Sequence, residues 1–247
     1  MHLHLPKPLH GWRAFVGEVG IIVVGVLIAL GAQQLVEDLH QRTELRDAEA
    51  AMTSELRDDD LPQAYTRAAV RQCYADQLDA VEAAVALGAD RTKVLGLARA
   101  YAPVVRTWED QAWQAALSSQ VLAHSGAKRT LGWAAPYSMM PHLEQTADLE
   151  QQELPLLRAS LSGNGPLSTA QQDHLFQVIS VLRHSNQVMS GTSLVLLKFA
   201  GEQGLSLTRE QRAPILAEAR RKFGQCVKEP AAESLNLHGQ LSEPKVP

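Results

Sequence analysis

The sequence predicts an all-α protein: an N-terminal transmembrane helix that continues into an exported multi-helix bundle. Three observations point there. Residues 14–32 read AFVGEVGIIVVGVLIALGA, an apolar run broken by a single charge, Glu18. Beyond it, apolar residues recur at three- and four-residue spacing almost to the C-terminus, the period of a helix with one buried face. No alternating apolar–polar stretch of strand length interrupts that pattern.

The anchor comes first. At 1.5 Å per residue the run spans roughly 28 Å, close to the ~30 Å hydrocarbon core of a bilayer. Trp12 and Arg13 at its leading edge suit an interfacial ring and a snorkelling cation. Lys7 and Arg13 make the leading segment positive, whereas Gln33, Gln34, Glu37 and Asp38 open the far side. Under the positive-inside rule the N-terminus stays cytoplasmic and the rest is exported. A cleavable signal peptide is the competing reading, since Ala29-Leu30-Gly31 offers small residues before Ala32. The long apolar run, its internal carboxylate and a helical pattern that continues past that point favour a retained anchor. Glu18, Gly25, Ala29 and Ala32 share one face of small residues, on which a second membrane helix can approach closely. The alternative for Glu18 is a hydrated position near the headgroups.

Leu35, Leu39, Leu45, Met52 and Leu56 extend the stripe, so the first helix is expected from about Leu9 to Arg57. Asp60 as cap and Pro62 in a first turn then open a second helix, about Gln63 to Leu87, with Val70, Cys73, Leu78, Val81 and Val85 inward. Gly88 closes it, and a short helix follows from Arg91 to Arg99. Thr107-x-x-Asp110 has the form of a capping box for a helix through Trp113 and Leu122. Ser125-Gly126 ends that one, and a longer helix to Leu161 is bent at Pro136, Pro141 and Pro155. Ser162-Gly163-Asn164-Gly165-Pro166 is a turn. Ser168 with Gln171, and Thr208 with Gln211, start the last two long helices; the second ends near Lys228. The expected organisation is a cytoplasmic stub (1–13), an anchor (14–32), a periplasmic bundle of about five or six helices (33–229) and a polar, disordered tail (230–247).

Composition narrows the function. The chain has 247 residues, 45% hydrophobic and 20% charged, with net charge −4. No basic excess suggests a nucleic-acid partner. Two cysteines cannot make a four-thiolate zinc site, and the nine histidines show no ligand spacing such as H-E-x-x-H. In an oxidising compartment Cys73 and Cys226 invite one disulfide, worth at most roughly 5 kcal/mol for so long a loop; the alternative is two buried thiols. Ser125-Gly126-Ala127-Lys128 matches S-x-x-K, but no K-T-G accompanies it. Glu144, Asp148, Glu150 and Glu153 read as a solvated helix face, and Trp108, Trp113 and Trp133 as packing. No cofactor or metal is expected.

Gly17, Glu18 and Gly25 through Leu30 match the pattern G-E-x-x-I-x-V-x-G-V-L-I-A-L. With Arg106, Thr107, Trp108, Glu109 and Trp113, the block Val121 to His124 and the position of Cys73, the chain resembles an uncharacterised proteobacterial family of single-pass, membrane-anchored helical proteins. It departs from them in the proline-interrupted segment Pro136 to Pro155. The resemblance implies location and architecture, not a mechanism. The function expected is a non-enzymatic accessory protein of the bacterial inner membrane. It would bind a membrane protein, or its own copies, through the Glu18 face and the bundle. A ligand- or stress-sensing bundle acting through a partner is the alternative.

Overall fold

The computed structural model describes residues 12–104, 106–163 and 165–230. The stub, the polar tail and Asn164 of the expected turn lie outside these, apart from Trp12, Arg13 and Pro230. Among the described residues there are nine α-helices and no strand, so the protein is all-α. Two units divide it at Asp47/Ala48.

The first unit is the N-terminal part of α1 (Trp12–Glu55). Its apolar window has a mean hydropathy of 2.4 with none of it buried, and it is long and apolar enough to cross a membrane. Leu35 and Leu39 are also exposed, whereas Leu45, Met52 and Leu56 of the same stripe are buried.

The second unit is a helical bundle. The chain does not stop at Asp58-Asp59-Asp60 as the sequence suggests. Leu56–Asp60 form one wide π-helical turn, closed by Leu61 N–H to the Leu56 carbonyl, and α2 (Leu61–Ala69) continues from it. Asp60 has helical φ and ψ and makes no cap. Proline inside an α-helix lacks one N–H and collides with the carbonyl four residues back; the wide turn absorbs both defects of Pro62. The expected second helix is itself divided at Val70 (φ −95°, ψ 3°) into α2 and α3 (Arg71–Ala86). Asn186 Nδ2 donates to the Arg71 carbonyl beside that break, 3.0 Å away.

Asp90 caps α4 (Arg91–Ala100) through the Lys93 amide. α5 spans only Gln111–Ser118, and the capping box expected at Thr107 is absent: Thr107 donates to Glu109 instead. Carboxylates from elsewhere in the bundle replace the local cap. Glu55 Oε2 accepts from Ala112 N (2.8 Å), and Asp60 Oδ1 from Glu109 N (3.2 Å). Gln120, at φ 59°, ends α5, and a 3-10 turn at Val121–His124 follows. The long helix expected next is broken at Ser138–Met139 into α6 (Ala127–Tyr137) and α7 (Met140–Ala159), with Pro136 in the last turn of one and Pro141 in the first of the other. Both capping boxes that open α8 (Thr169–Glu202) and α9 (Arg209–Phe223) are present. α8 is the central strut, packed against α2, α3, α6 and α7.

A candidate site: the buried Arg67–Glu150 pair and the cleft beside it

α2 buries Leu61, Ala64, Tyr65 and Arg67 together, and α7 buries Leu143, Ala147, Glu150 and Leu157. Arg67 and Glu150 therefore meet inside the bundle, Nη2 to Oε1 at 2.5 Å, with side chains 3% and 1% exposed. The acidic run around Glu150 is thus not uniformly solvated: Glu144 and Asp148 are exposed, but Glu150 is core. It sits seven residues past Leu143 and three past Ala147, on the inward stripe of α7, where a carboxylate needs a cation beside it. Burial pushes the Glu150 carboxyl upward and the Arg67 guanidinium pulls it back.

Two tyrosines surround the pair. The Tyr74 ring lies 5.2 Å from the Arg67 guanidinium carbon, and Tyr101 packs edge-on against Tyr74 at 5.5 Å. Burial holds both phenols above their ordinary value, so they stay protonated donors. Among the described residues Arg67 Nε and Nη1 and the Tyr101 hydroxyl have no hydrogen-bond partner. This polar island is richer in donors than in acceptors.

A cleft of about 280 Å³ opens against Arg67 and Tyr74, between α2, α9 and the residues on either side of position 105. Arg106, Glu218 and Lys222 stand on its walls, with Ile215, Ala219 and Phe223 forming much of its apolar surface. The end of α9 is fixed by its continuation. Cys226 is bonded to Cys73 of α3, with sulfurs 2.11 Å and Cα atoms 5.1 Å apart. Lys228 N donates to the Ala69 carbonyl, and Glu229 Oε1 accepts from both Tyr65 and Arg212.

The other sequence-selected positions are far simpler. Glu18, Gly25, Ala29 and Ala32 are exposed on one helix, and a Cβ added to Gly25 meets nothing within 4 Å. Ser125 Oγ lies 2.7 Å from Thr130 Oγ1 and donates to the Leu122 carbonyl, the geometry of a turn. Among the described residues no group of three or more His, Cys, Asp or Glu is placed to hold a metal ion. Trp108 and Trp133 are buried, and Trp113 stacks on Tyr137 at 5.4 Å.

Sequence reasoning passed over Arg67, and it read Asp60 only as a cap, Arg91 only as a helix start and Arg106 only as part of a resemblance. Arg91 binds the Ser162 and Gly165 carbonyls and the Gln171 side chain, stapling the glycine turn that precedes α8. The signal available for Glu150 was a charge on an otherwise apolar stripe; for Arg91 no local pattern exists. No protein-family model, no curated protein and no solved structure matches the chain.

Proposed function

We propose that this protein is a single-pass inner-membrane protein whose helical bundle lies in the periplasm and acts by binding rather than by catalysis. The observation that carries the reading is the unburied apolar stretch of α1, on the same helix whose last turns belong to the bundle. Apolar side chains left wholly exposed over that length belong in lipid or against a partner. The charge asymmetry around the run supports a cytoplasmic N-terminus. An exported bundle is also where the Cys73–Cys226 bond is at home, because the cytoplasm keeps thiols reduced.

The partner on this reading is a membrane protein, or a second copy, gripped at Glu18, Gly25, Ala29 and Ala32. A carboxylate near the bilayer edge is costly unless another group receives it, and the small residues beside it permit close helix packing. Affinity purification from gently solubilised membranes tests this. The wild type is expected to retain one membrane protein in near-equal amount, and Glu18→Leu to lose most of it while still fractionating with membranes. Equal recovery with both chains would remove the Glu18 face from the reading.

A further inference from the structure

The cleft beside Arg67 supports an inference that does not depend on the membrane anchor. Arg67 is 3% exposed; Glu150 accepts from its Nη2 and the Tyr74 hydroxyl is a second hydrogen-bonding neighbour, but among the described residues its Nε and Nη1 have no acceptor. Tyr101, wholly buried close by, also has a hydroxyl without a partner among the described residues. Each of these groups has an N–H or O–H to donate, and the two on Arg67 can only donate. Buried donors without acceptors are costly, and folded proteins leave very few of them. Arg67, whose Nε and Nη1 are among these groups, lines the cleft.

The outer walls have the matching charge. Arg106 and Lys222 are both exposed, and neither is ion-paired among the described residues; Lys222 rests over the Phe223 ring at 5.0 Å. Glu218 stands among them as a lone opposing carboxylate. Glu150 offsets Arg67, so the cleft remains cationic by about one charge. Its apolar wall, chiefly Ile215, Ala219 and Phe223, is unsuited to a bare inorganic ion. At about 280 Å³ it falls just below the ~300–1,000 Å³ of pockets for drug-sized ligands.

We infer that this cleft binds a small organic anion, a carboxylate or phosphate monoester carried on an apolar body. The anionic group sits between Arg67, Arg106 and Lys222, and the body lies against Ile215 and Phe223. Arg67 is held in place by Glu150 at the floor of the cleft, where its charge draws the anionic group. Glu218 works against binding and sets an upper limit on the charge the site selects. The same chemistry fits a soluble metabolite or the headgroup of an anionic lipid.

The test is calorimetric titration of the full-length chain in nanodiscs of zwitterionic lipid. Phenyl phosphate is expected to bind saturably at one site, benzyl alcohol not at all, and inorganic phosphate at least tenfold more weakly. Arg106→Gln and Lys222→Gln, both surface changes that leave the core intact, should each weaken phenyl phosphate about tenfold. Glu218→Gln should tighten it about threefold. Repeating the titration in nanodiscs of anionic lipid separates the sources: a suppressed signal identifies lipid as the competing ligand, an unchanged one a soluble anion. The inference is overturned if phenyl phosphate shows no saturable binding, if benzyl alcohol binds as well, or if the three variants match the wild type. Equal affinity for inorganic and phenyl phosphate would overturn the apolar half of it.

Discussion

Two carboxylates in the bundle interior show how differently the same group behaves when its neighbours change. Glu150 has Arg67 against it, and the pair is nearly sealed from water. Removing one partner leaves the other as a buried unpaired charge, a loss of about 3–5 kcal/mol, whereas an apolar pair of similar volume is often neutral. Glu150→Gln should therefore lower stability by that order in chemical unfolding, and Arg67→Met with Glu150→Leu should recover most of it. A double variant as unstable as the single one would mean that the pair adds more than it costs. Asp60 has no cation. Burial first, and then the nearby Glu55, Asp59 and Glu109 carboxylates, push it from 3.8 up to about 8, although the Glu109 amide pulls it back. Because the folded value lies above the unfolded one, the folded chain holds the extra proton between them. The stability this proton brings is fully present below about pH 4 and is lost as pH rises through about 8. The slope is at most about 1.4 kcal/mol per pH unit. Asp60→Asn keeps an acceptor for the Glu109 amide and removes the charge. Its unfolding free energy should vary less between pH 5 and pH 8 than that of the wild type, and it should be the more stable of the two at pH 8; parallel profiles would refute the assignment.

Among the elements, what local sequence patterns revealed and what they hid separate along a physical line. Ser168 with Gln171, Thr208 with Gln211 and the glycine at 126 all act within a few residues of themselves, and the structure has each of them in place. The failures occur where a distant group decides. Thr107-x-x-Asp110 has the right letters for a cap, but the amides there are taken by Glu55 and Asp60, about fifty residues upstream. The break at Val70 leaves no mark in a sequence of good helix formers; Asn186, from α8, donates to a carbonyl beside it. The candidate site is of the second kind, because Arg67 and Glu150 are 83 residues apart and meaningful only together. Glu55 makes the clearest test. Its other oxygen, Oε1, accepts from the Tyr137 hydroxyl at 2.8 Å, so one carboxylate of α1 holds both α5 and α6. Glu55→Ala should raise amide hydrogen exchange across residues 106–118 by tenfold or more, the loss of a cap and a charge-assisted bond. Exchange in the middle of α8 should stay unchanged. Protection lost uniformly over the bundle would show that α5 is not a separately latched element.

For the whole molecule the deciding question is which side of a membrane the bundle occupies, and the disulfide is its reporter. Cys73 and Cys226 join α3 to the segment after α9, closing a loop of 153 positions, and no other cysteine exists in the chain to exchange with them. A bond of that span restricts the unfolded chain by at most roughly 5 kcal/mol, but only in a compartment that lets it form. The two topologies consequently predict different chemistry in cells. With the bundle in the periplasm, both thiols resist alkylation in denatured extracts of intact cells. They become labelled in spheroplasts treated with a membrane-impermeant phosphine and then an impermeant maleimide. With the bundle in the cytoplasm, thioredoxin and glutathione keep the pair reduced, so the thiols label without a reductant, and only after lysis. Protection in whole cells together with labelling in reduced spheroplasts is the expected result. Free thiols in cell extracts would reverse the orientation. They would also take away the export on which the proposed contact between bundle and membrane partner rests, while leaving the cationic cleft, which has its own titration, untouched.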